Sequence, residues 1–409
     1  MSGCEAKVPA LRFKGHPGSW ERKRLGDEVS FSKGKGYSKS DISATGMPLF
    51  LYGRLYTDYQ AEVDDVDTFT QLQKGSVLSN GGEVVVPGSG ETPEDIARAS
   101  AVLSRGIILG GDLNILTPKD FEKTYSPFLA LSLSNGRTSL QIADRAQGKT
   151  IVHIHNSDLE NIQVAFPSFP EQRRIGSFFR SLDALIAGRE KALEKLEALK
   201  KSMLLKMFPQ GDATVPEVRF KGFAGDWEKK RLGNFLEERE ENNRDGIETE
   251  ILSVMKDVGV IRYADKGNVG NRAKEDVTQY NIARKGDIVL NSMNVIIGSV
   301  GVAPCDGCIS PAYYALRPMV NADASFWGYW FWRKESQCVI SSLACGMMEI
   351  RRKISVEDLL SIVTPVPSLP EQQKIGAYFR SLDALLAARR DEIAKLKNLK
   401  KALLDRMFV

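Results

Sequence analysis

The sequence predicts an α+β chain: two mixed blocks with curved β-sheets, joined and separated by two long helices packed as an antiparallel coiled coil with pseudo-two-fold symmetry. Three observations predict it. A long segment occurs twice at an offset of 200 residues, a shorter lead-in occurs twice at an offset of 207, and the stretches between them read as short β-like runs among Gly-rich turns. A duplicated unit constrains architecture more than any local propensity does, so the repeat is the first thing to interpret.

The lead-in VPALRFKGHPGSWERKRLG (Val8 to Gly26) matches VPEVRFKGFAGDWEKKRLG (Val215 to Gly233) at 13 of 19 positions. The longer segment, PSFPEQRRIGSFFRSLDALIAGREKALEKLEALKKSMLLKMF (Pro167 to Phe208), matches PSLPEQQKIGAYFRSLDALLAARRDEIAKLKNLKKALLDRMF (Pro367 to Phe408) at 24 of 42. The order is lead-in, block, helix, and the same again. Between the matched ends, residues 27–157 and 234–357 give no defensible alignment, although Asp158-Leu159 and Asp358-Leu359 echo one another. The expected segments are therefore a first domain over 1–166, a first helix over 167–208, a second domain over 209–366 and a second helix over 367–409.

Each long segment carries an apolar stripe near period 3.5. The expected core of the helix pair is Leu182, Leu185, Leu193, Leu196, Leu199 and Met203 against Leu382, Leu385, Ile393, Leu396, Leu399 and Leu403. Ser168 with Glu171, and Ser368 with Glu371, have capping-box spacing, while Lys200, Lys201, Lys400 and Lys401 sit where they complement a helix dipole. About 39 residues at roughly 1.5 Å each give a rod on the order of 58 Å. A narrow stripe kept up for five heptads seldom faces a rounded core. The first helix must deliver the chain from the first block to the second, and the second helix points back, so the stripes are expected to pack on each other antiparallel. The plainer alternative is that each helix covers its own domain.

At 409 residues, with 42% hydrophobic, 26% charged and 8% aromatic residues, the chain holds two or three globular units and is neither disordered nor fibrous. Lys+Arg 56 against Asp+Glu 52 leaves +4, too slight to argue for nucleic acid by itself. That excess is localised: each 42-residue helical segment has 9 basic and 5 acidic residues, so the two give +8 and the remainder −4. Such a surface is either a solvated face or a docking surface for another subunit or DNA phosphate. Five cysteines are too few for a disulfide scaffold and favour a reducing, cytoplasmic setting. The start lacks a secretory pattern and no apolar run reaches about 18 residues, so no membrane span is expected.

Within the blocks, KGDIVLNS (Lys285 to Ser292), VIIGSVGVA (Val295 to Ala303) and TIVHIHNS (Thr150 to Ser157) read as strands, and ETPEDIARASAVL (Glu91 to Leu103) as a helix. Turn-like clusters rich in Lys, Arg, Asn, Ser and Tyr, the side chains that contact base edges and phosphates, occur at SKGKGYSKSD, GRLY and AQGKT in the first block. The second has ADKGNVGNRAK, LNSMN and EIRRK. Catalytic constellations are scarce. His153 and His155 alternate on a strand but lack a third ligand and read as a structural pair. Cys305-x-x-Cys308 with Cys338 and Cys345 could make a four-thiolate zinc site, but its second pair is irregular, and no metal is expected. VPGSGETPED lacks the lysine of a phosphate loop. SPAYY departs from the amino-methyltransferase tetrapeptide and reads as buried strand aromatics.

Two copies of PSxPEQxxIGxxFRSLDALxAxR followed by KLxxLKKxxLxxMF, each preceded by a block opening with VPxxRFKGxxGxWExKRLG, closely resemble the specificity subunit of type I DNA restriction-modification systems. The resemblance covers nearly the whole chain. It implies two target recognition domains, each reading one half of an asymmetric, bipartite target in double-stranded DNA, held apart across a spacer by the helices. It implies two methyltransferase subunits and translocating restriction subunits as partners. S-adenosylmethionine, ATP and Mg are then expected on those partners, with no cofactor and no catalytic residue on this chain. The expected DNA contacts are Lys33, Lys35, Tyr37, Arg54, Tyr56 and Lys149 in the first block, and Lys266, Asn268, Arg272, Asn291, Asn294, Arg351 and Arg352 in the second. The rivals are a single-chain modification or restriction enzyme, for whose catalytic domains the frames from Val8 to Phe408 leave no room, and a coiled-coil adaptor without a DNA role.

Overall fold

The computed structural model describes residues 8–148, 150–256, 258–266, 276–343 and 353–409, with only the backbone of Ile296. The chain forms two compact units, Met1–Glu190 with Glu392–Val409, and Lys191–Asp391. Both dividing points fall inside the long helices, Phe169–Lys206 and Leu369–Met407, so neither helix is a segment apart from the blocks.

In the first unit a five-stranded sheet runs in the order Val29–Lys33, Leu113–Pro118, Glu83–Pro87, Ser100–Val102, Glu62–Val63; only the last pair is parallel. The second unit has a four-stranded antiparallel sheet, Leu236–Glu238, Tyr313–Pro318, Ile288–Asn291, Val300–Val302. The first four positions follow the same chain order in both sheets: first, fourth, second, third of the strands concerned. Blocks without alignable sequence thus share a framework. Each also has a short helix buried all round, Ser126–Ser134 (SPFLALSLS) and Ala324–Trp332 (ASFWGYWFW), followed by a second helix, Gly136–Ala143 or Lys334–Leu343. Helices with no polar face show no amphipathic period and escape periodicity arguments.

The repeated motifs build the joints between block and helix. In the first unit Arg12 of RFKG places Nε and one terminal nitrogen 2.6 and 2.7 Å from the two carboxylate oxygens of Glu171, whose side chain is fully buried. In the second unit Arg219 does the same to Glu371 at 2.7 and 2.9 Å. The expected capping-box carboxylates therefore hold an arginine. Gln172 accepts from the Tyr125 N–H and donates to the carbonyls of Lys123 and Pro167; Gln372 repeats this with Asp323, Asn321 and Pro367. Gly176 is required by close approach, since a Cβ there would lie 2.6 Å from the Tyr125 ring. The closing Met-Phe pairs are core residues: Phe408 packs on Phe128, Phe179 and Trp20, while Phe208 packs on Phe326, Phe379 and Trp227.

The helices pair through both units. In the first, Leu182, Ile186 and Ile393 are buried, with Arg189–Glu392 at 3.1 Å, Lys397–Glu190 at 2.7 Å and Lys400–Asp183 at 2.5 Å. In the second, Leu382 is buried and Met203 packs on the core, with Arg390–Glu197 at 2.6 Å and Lys200–Asp383 at 2.5 Å. Four expected core leucines are not inside: Leu185, Leu199, Leu385 and Leu399 are 44, 40, 40 and 51% exposed. The physical reason is the 3.6-residue period. Eighteen residues make about five full turns, so Lys200 rather than Leu199 returns to the azimuth of Leu182, and Lys400 likewise to that of Leu382. These two lysines bridge the pair instead of capping dipoles. Leu193, Leu196, Leu396 and Leu403 are partly buried along the seam.

Three local expectations are corrected. ETPEDIARASAVL is helical only over Pro93–Ile96, and Ser100–Val102 is a sheet strand because its buried small residues pair with Glu83–Pro87. VIIGSVGVA begins with a 3-10 turn, Val295–Ile297, which ends at Gly298 with φ 83°, leaving Val300–Val302 as strand. TIVHIHNS contributes only Val152–His153, since Asn156 begins a helical turn.

Glu171→Ala should cost on the order of 3 kcal/mol, because Arg12 is left without its counter-charge. Arg12→Met with Glu171→Met should recover most of it; calorimetry of the full chain checks this, and a double variant no better than the single one counts against the clamp. A second prediction concerns Glu62. Burial pushes its carboxyl up to about 7, with Arg180, 3.4 Å away, opposing. The unfolded chain loses that proton near 4.5, so folding stability falls as pH rises from there to about 7 and the penalty is complete above it. Glu62→Gln should match the wild-type melting temperature near about pH 5 and exceed it near about pH 8.

Candidate nucleic-acid interface

In the first block the strand Val29–Lys33 runs into a loop that folds back at Gly36 and Tyr37, both left-handed with φ 64° and 59°. For a tyrosine this conformation costs about 1–2 kcal/mol. It is held by the phenol, which accepts from the Gln73 N–H at 2.8 Å, meets Ser76 Oγ at 2.5 Å and lies 3.3 Å from the Gln71 carbonyl. Tyr37 therefore ties two loops together. Lys35 extends from this loop to the second one, its Nζ 3.5 Å from where a Cβ on Gly75 would stand. Lys33 is exposed at the strand end; its ammonium is lowered by burial, against which Asp112 acts.

Tyr56 shares the Asp112 environment. Its hydroxyl donates to the Ser89 carbonyl, and burial, with the charges of Asp95 and Asp112, raises it well above the usual phenol range. Arg54 points elsewhere: it bonds Asp67 at 2.6 Å and Asp58 at 2.8 Å, and its side chain is only 14% exposed. The structure thus sets Lys35 on the loop that Tyr37 ties down, while Arg54 is committed to the protein. Lys39 and Lys74, on the two loops tied by Tyr37, were not singled out. Lys39 stands in the quoted SKGKGYSKSD cluster, and Lys74 in QLQKG carried no repeat or motif signal.

In the second block Asn291 ends the strand Ile288–Asn291 opposite Tyr313, and its side-chain oxygen accepts from the Met293 N–H at 3.1 Å. Asn294 is exposed at the turn that follows, and Ser292 secures that turn by donating to the Ala312 carbonyl at 2.8 Å. Lys353, also missed although it ends EIRRK, lies over the Tyr314 ring at 5.7 Å. Lys266 lies over Tyr263 at 5.8 Å, on the 3-10 turn Tyr263–Lys266. Lys149, Asn268, Arg272, Arg351 and Arg352 lie outside the described residues, as does Cys345.

Cys308 is buried, donates to the Glu248 carbonyl at 3.0 Å and accepts from Asn243, and burial pushes its thiol up to about 11. The Cys308 sulfur is thus engaged by the protein's own polar groups. Among the described residues no group of three His, Cys, Asp or Glu could hold a metal ion. Nor is any helix there long and apolar enough to cross a membrane.

Two blocks share one framework, the first with lysines and tyrosines and the second with lysine and asparagine at their loops, and the comparisons place such a duplicated chain in a DNA-specificity class. The family model for the type I restriction modification DNA specificity domain matches twice, over residues 17–198 and 224–398, and the chain belongs to that family. The type I restriction enzyme MjaVIII specificity subunit of Methanocaldococcus jannaschii is 22% identical over 408 residues, 95% of this chain and 92% of that one. The S subunit of a type I restriction-modification system from M. genitalium, solved by crystallography, has a TM-score of 0.61 at 17% identity, covering 98% of this chain and 99% of its own. A chain from a structure concerned with complex assembly and conformational transition of the type I R-M system has a TM-score of 0.54 at 20% identity, covering 96 and 98%.

Because Arg54 is engaged by two carboxylates, Arg54→Ala should lower the melting temperature slightly, as for a partly exposed pair worth about 1 kcal/mol or less. It should leave the salt dependence of DNA binding unchanged, as titrations at several salt concentrations would show.

Proposed function

We propose that this chain is the sequence-reading, non-catalytic subunit of a type I restriction-modification complex, in which each block reads one half of an asymmetric bipartite target in double-stranded DNA. One observation carries the reading: a frame repeated at 24 of 42 and 13 of 19 positions holds two blocks that share a four-strand order and carry unlike loops. A duplicated frame with identical loops would suit a symmetric target; unlike loops suit an asymmetric one. Two methyltransferase subunits and the translocating restriction subunits are the partners on this reading, with S-adenosylmethionine, ATP and Mg bound by them. The complex works in the cytoplasm, and the long helices set the spacer between half-sites and dock the methyltransferases. Lysines at loop tips supply contacts to phosphate, while the exposed Asn294 faces base edges and the buried Asn291 braces its turn.

The test is a block exchange. Replacing residues 27–157 by the corresponding block of a relative, and mapping methylated sites with the assembled complex, should change one half of the target and leave the other half and the spacer intact. A change in both halves, or methylation by this chain without partners, overturns the reading.

A further inference from the structure

The loops joined by Tyr37 carry three lysines, Lys35, Lys39 and Lys74. Arg54, Arg98, Arg105 and Arg180 are each bound to carboxylates or carbonyls of the protein. The ammonium groups of Lys35, Lys39 and Lys74 have no hydrogen-bond or ion-pair partner among the described residues, and all three are exposed. The carboxylate on these loops, Asp41, is already satisfied: it accepts from the Ser38 N–H at 2.7 Å and the Ser38 hydroxyl at 3.0 Å, with the Gln73 amide 3.4 Å away. The Ser38 N–H holds Asp41 below the usual carboxylate range, so it remains an anion turned toward its own backbone.

Order and charge coincide here. The Tyr37 phenol, the Gln73–Asp41 contact and the bond from Thr70 Oγ1 to the Asp41 carbonyl at 2.6 Å fix one loop against the other. A disordered lysine loop would lose its freedom on binding; these loops are ordered beforehand, so phosphate contact costs less entropy. Lysine, a compact point charge with no fixed fork, suits phosphate better than a base edge.

We infer that loops 34–41 and 71–76 form a phosphate clamp in which Lys35, Lys39 and Lys74 grip one stretch of the DNA backbone and Tyr37 is the positioning residue that holds them in register. The clamp contributes affinity and orientation, and the choice of bases lies elsewhere in the block. This rests on the reading of the chain as a DNA-recognition subunit, and it assigns to Tyr37 a role through the lysines instead of a direct contact.

The experiment uses the full chain assembled with its methyltransferase subunits, a duplex carrying the target and a scrambled duplex, titrated by anisotropy over a range of salt. Wild type should prefer the target; failure to bind either duplex overturns the parent reading and this inference with it. With wild-type preference intact, Lys35→Ala/Lys39→Ala/Lys74→Ala should weaken binding to both duplexes by the same factor, on the order of tenfold or more. Its log–log salt slope should be shallower by about 2–3 units, at roughly 0.9 per lost contact. The triple Lys→Arg variant should restore the slope. Tyr37→Phe removes no charge, yet should also make the slope shallower by about one unit. An unchanged slope in the triple Ala variant, or a shift in which bases are preferred, overturns the clamp. A wild-type slope in Tyr37→Phe overturns the positioning role.

Discussion

The structure depends on a buried arginine–glutamate pair made twice, Arg12 with Glu171 and Arg219 with Glu371. An apolar contact tolerates a shift of a residue or a rotation of some tens of degrees. A two-pronged ion pair around a carboxylate with no solvent exposure does not, because a displaced partner leaves a charge in low dielectric. The pair therefore fixes where each long helix starts and which way it leaves its block. Gln172 and Gln372 add a second fixed point one residue later, so position and azimuth are both determined within the first helical turn. Everything farther along the helix follows from rigid geometry at about 1.5 Å and 100° per residue.

That constraint explains why the frame is repeated so closely while the blocks are not. Residues of the frame meet other residues of the frame: Trp20 meets Phe408, and Phe208 meets Trp227. Each is determined by a partner whose shape is also fixed. The sheet in each block needs only buried apolar residues in a shared strand order, a requirement many sequences meet. The loops beyond the sheet need only to be stable, which leaves their chemistry open to variation.

Legibility followed the same division. Repetition exposed the frame, and with it the helices and the family, but not what its residues do. Glu171 stood at capping-box spacing and turned out to grip Arg12, since a spacing rule sees three residues ahead and not 159 back. Leu199 fitted a 3.5-residue stripe, yet the helix keeps its own 3.6 period and brings Lys200 round to Asp383 and over the Trp332 ring at 4.4 Å. The helices Ser126–Ser134 and Ala324–Trp332 gave no periodic signal because every side is buried. For the candidate interface, composition pointed to polar loops but could not sort their residues. Arg54 and Lys35 look alike in sequence, and only the positions of Asp58 and Asp67 show that one is engaged and the other is not.

Sorting engaged from unengaged groups is what turns a polar loop into an argument about recognition. A side chain held by several protein partners must break them before it can contact DNA, and it regains only what the new contact exceeds them by. Tyr37, with three polar neighbours and a left-handed backbone, sits at the expensive end of that scale, and a lysine without a partner sits at the other. Yet the two stand on the same loop. The strain at Tyr37 persists only because its neighbours over-determine it, and the order they impose is carried to the loop on which Lys35 and Lys39 stand. Loop order in the first block is therefore built from groups that already hold protein partners. The second block achieves the same end by another route, pinning the Asn291–Asn294 turn through Ser292 and the Asn291 amide. Unlike loops on a shared strand order thus require unlike internal braces as well as unlike tips, and this is a physical reason for sequence divergence to run through the whole of each block instead of stopping at its surface.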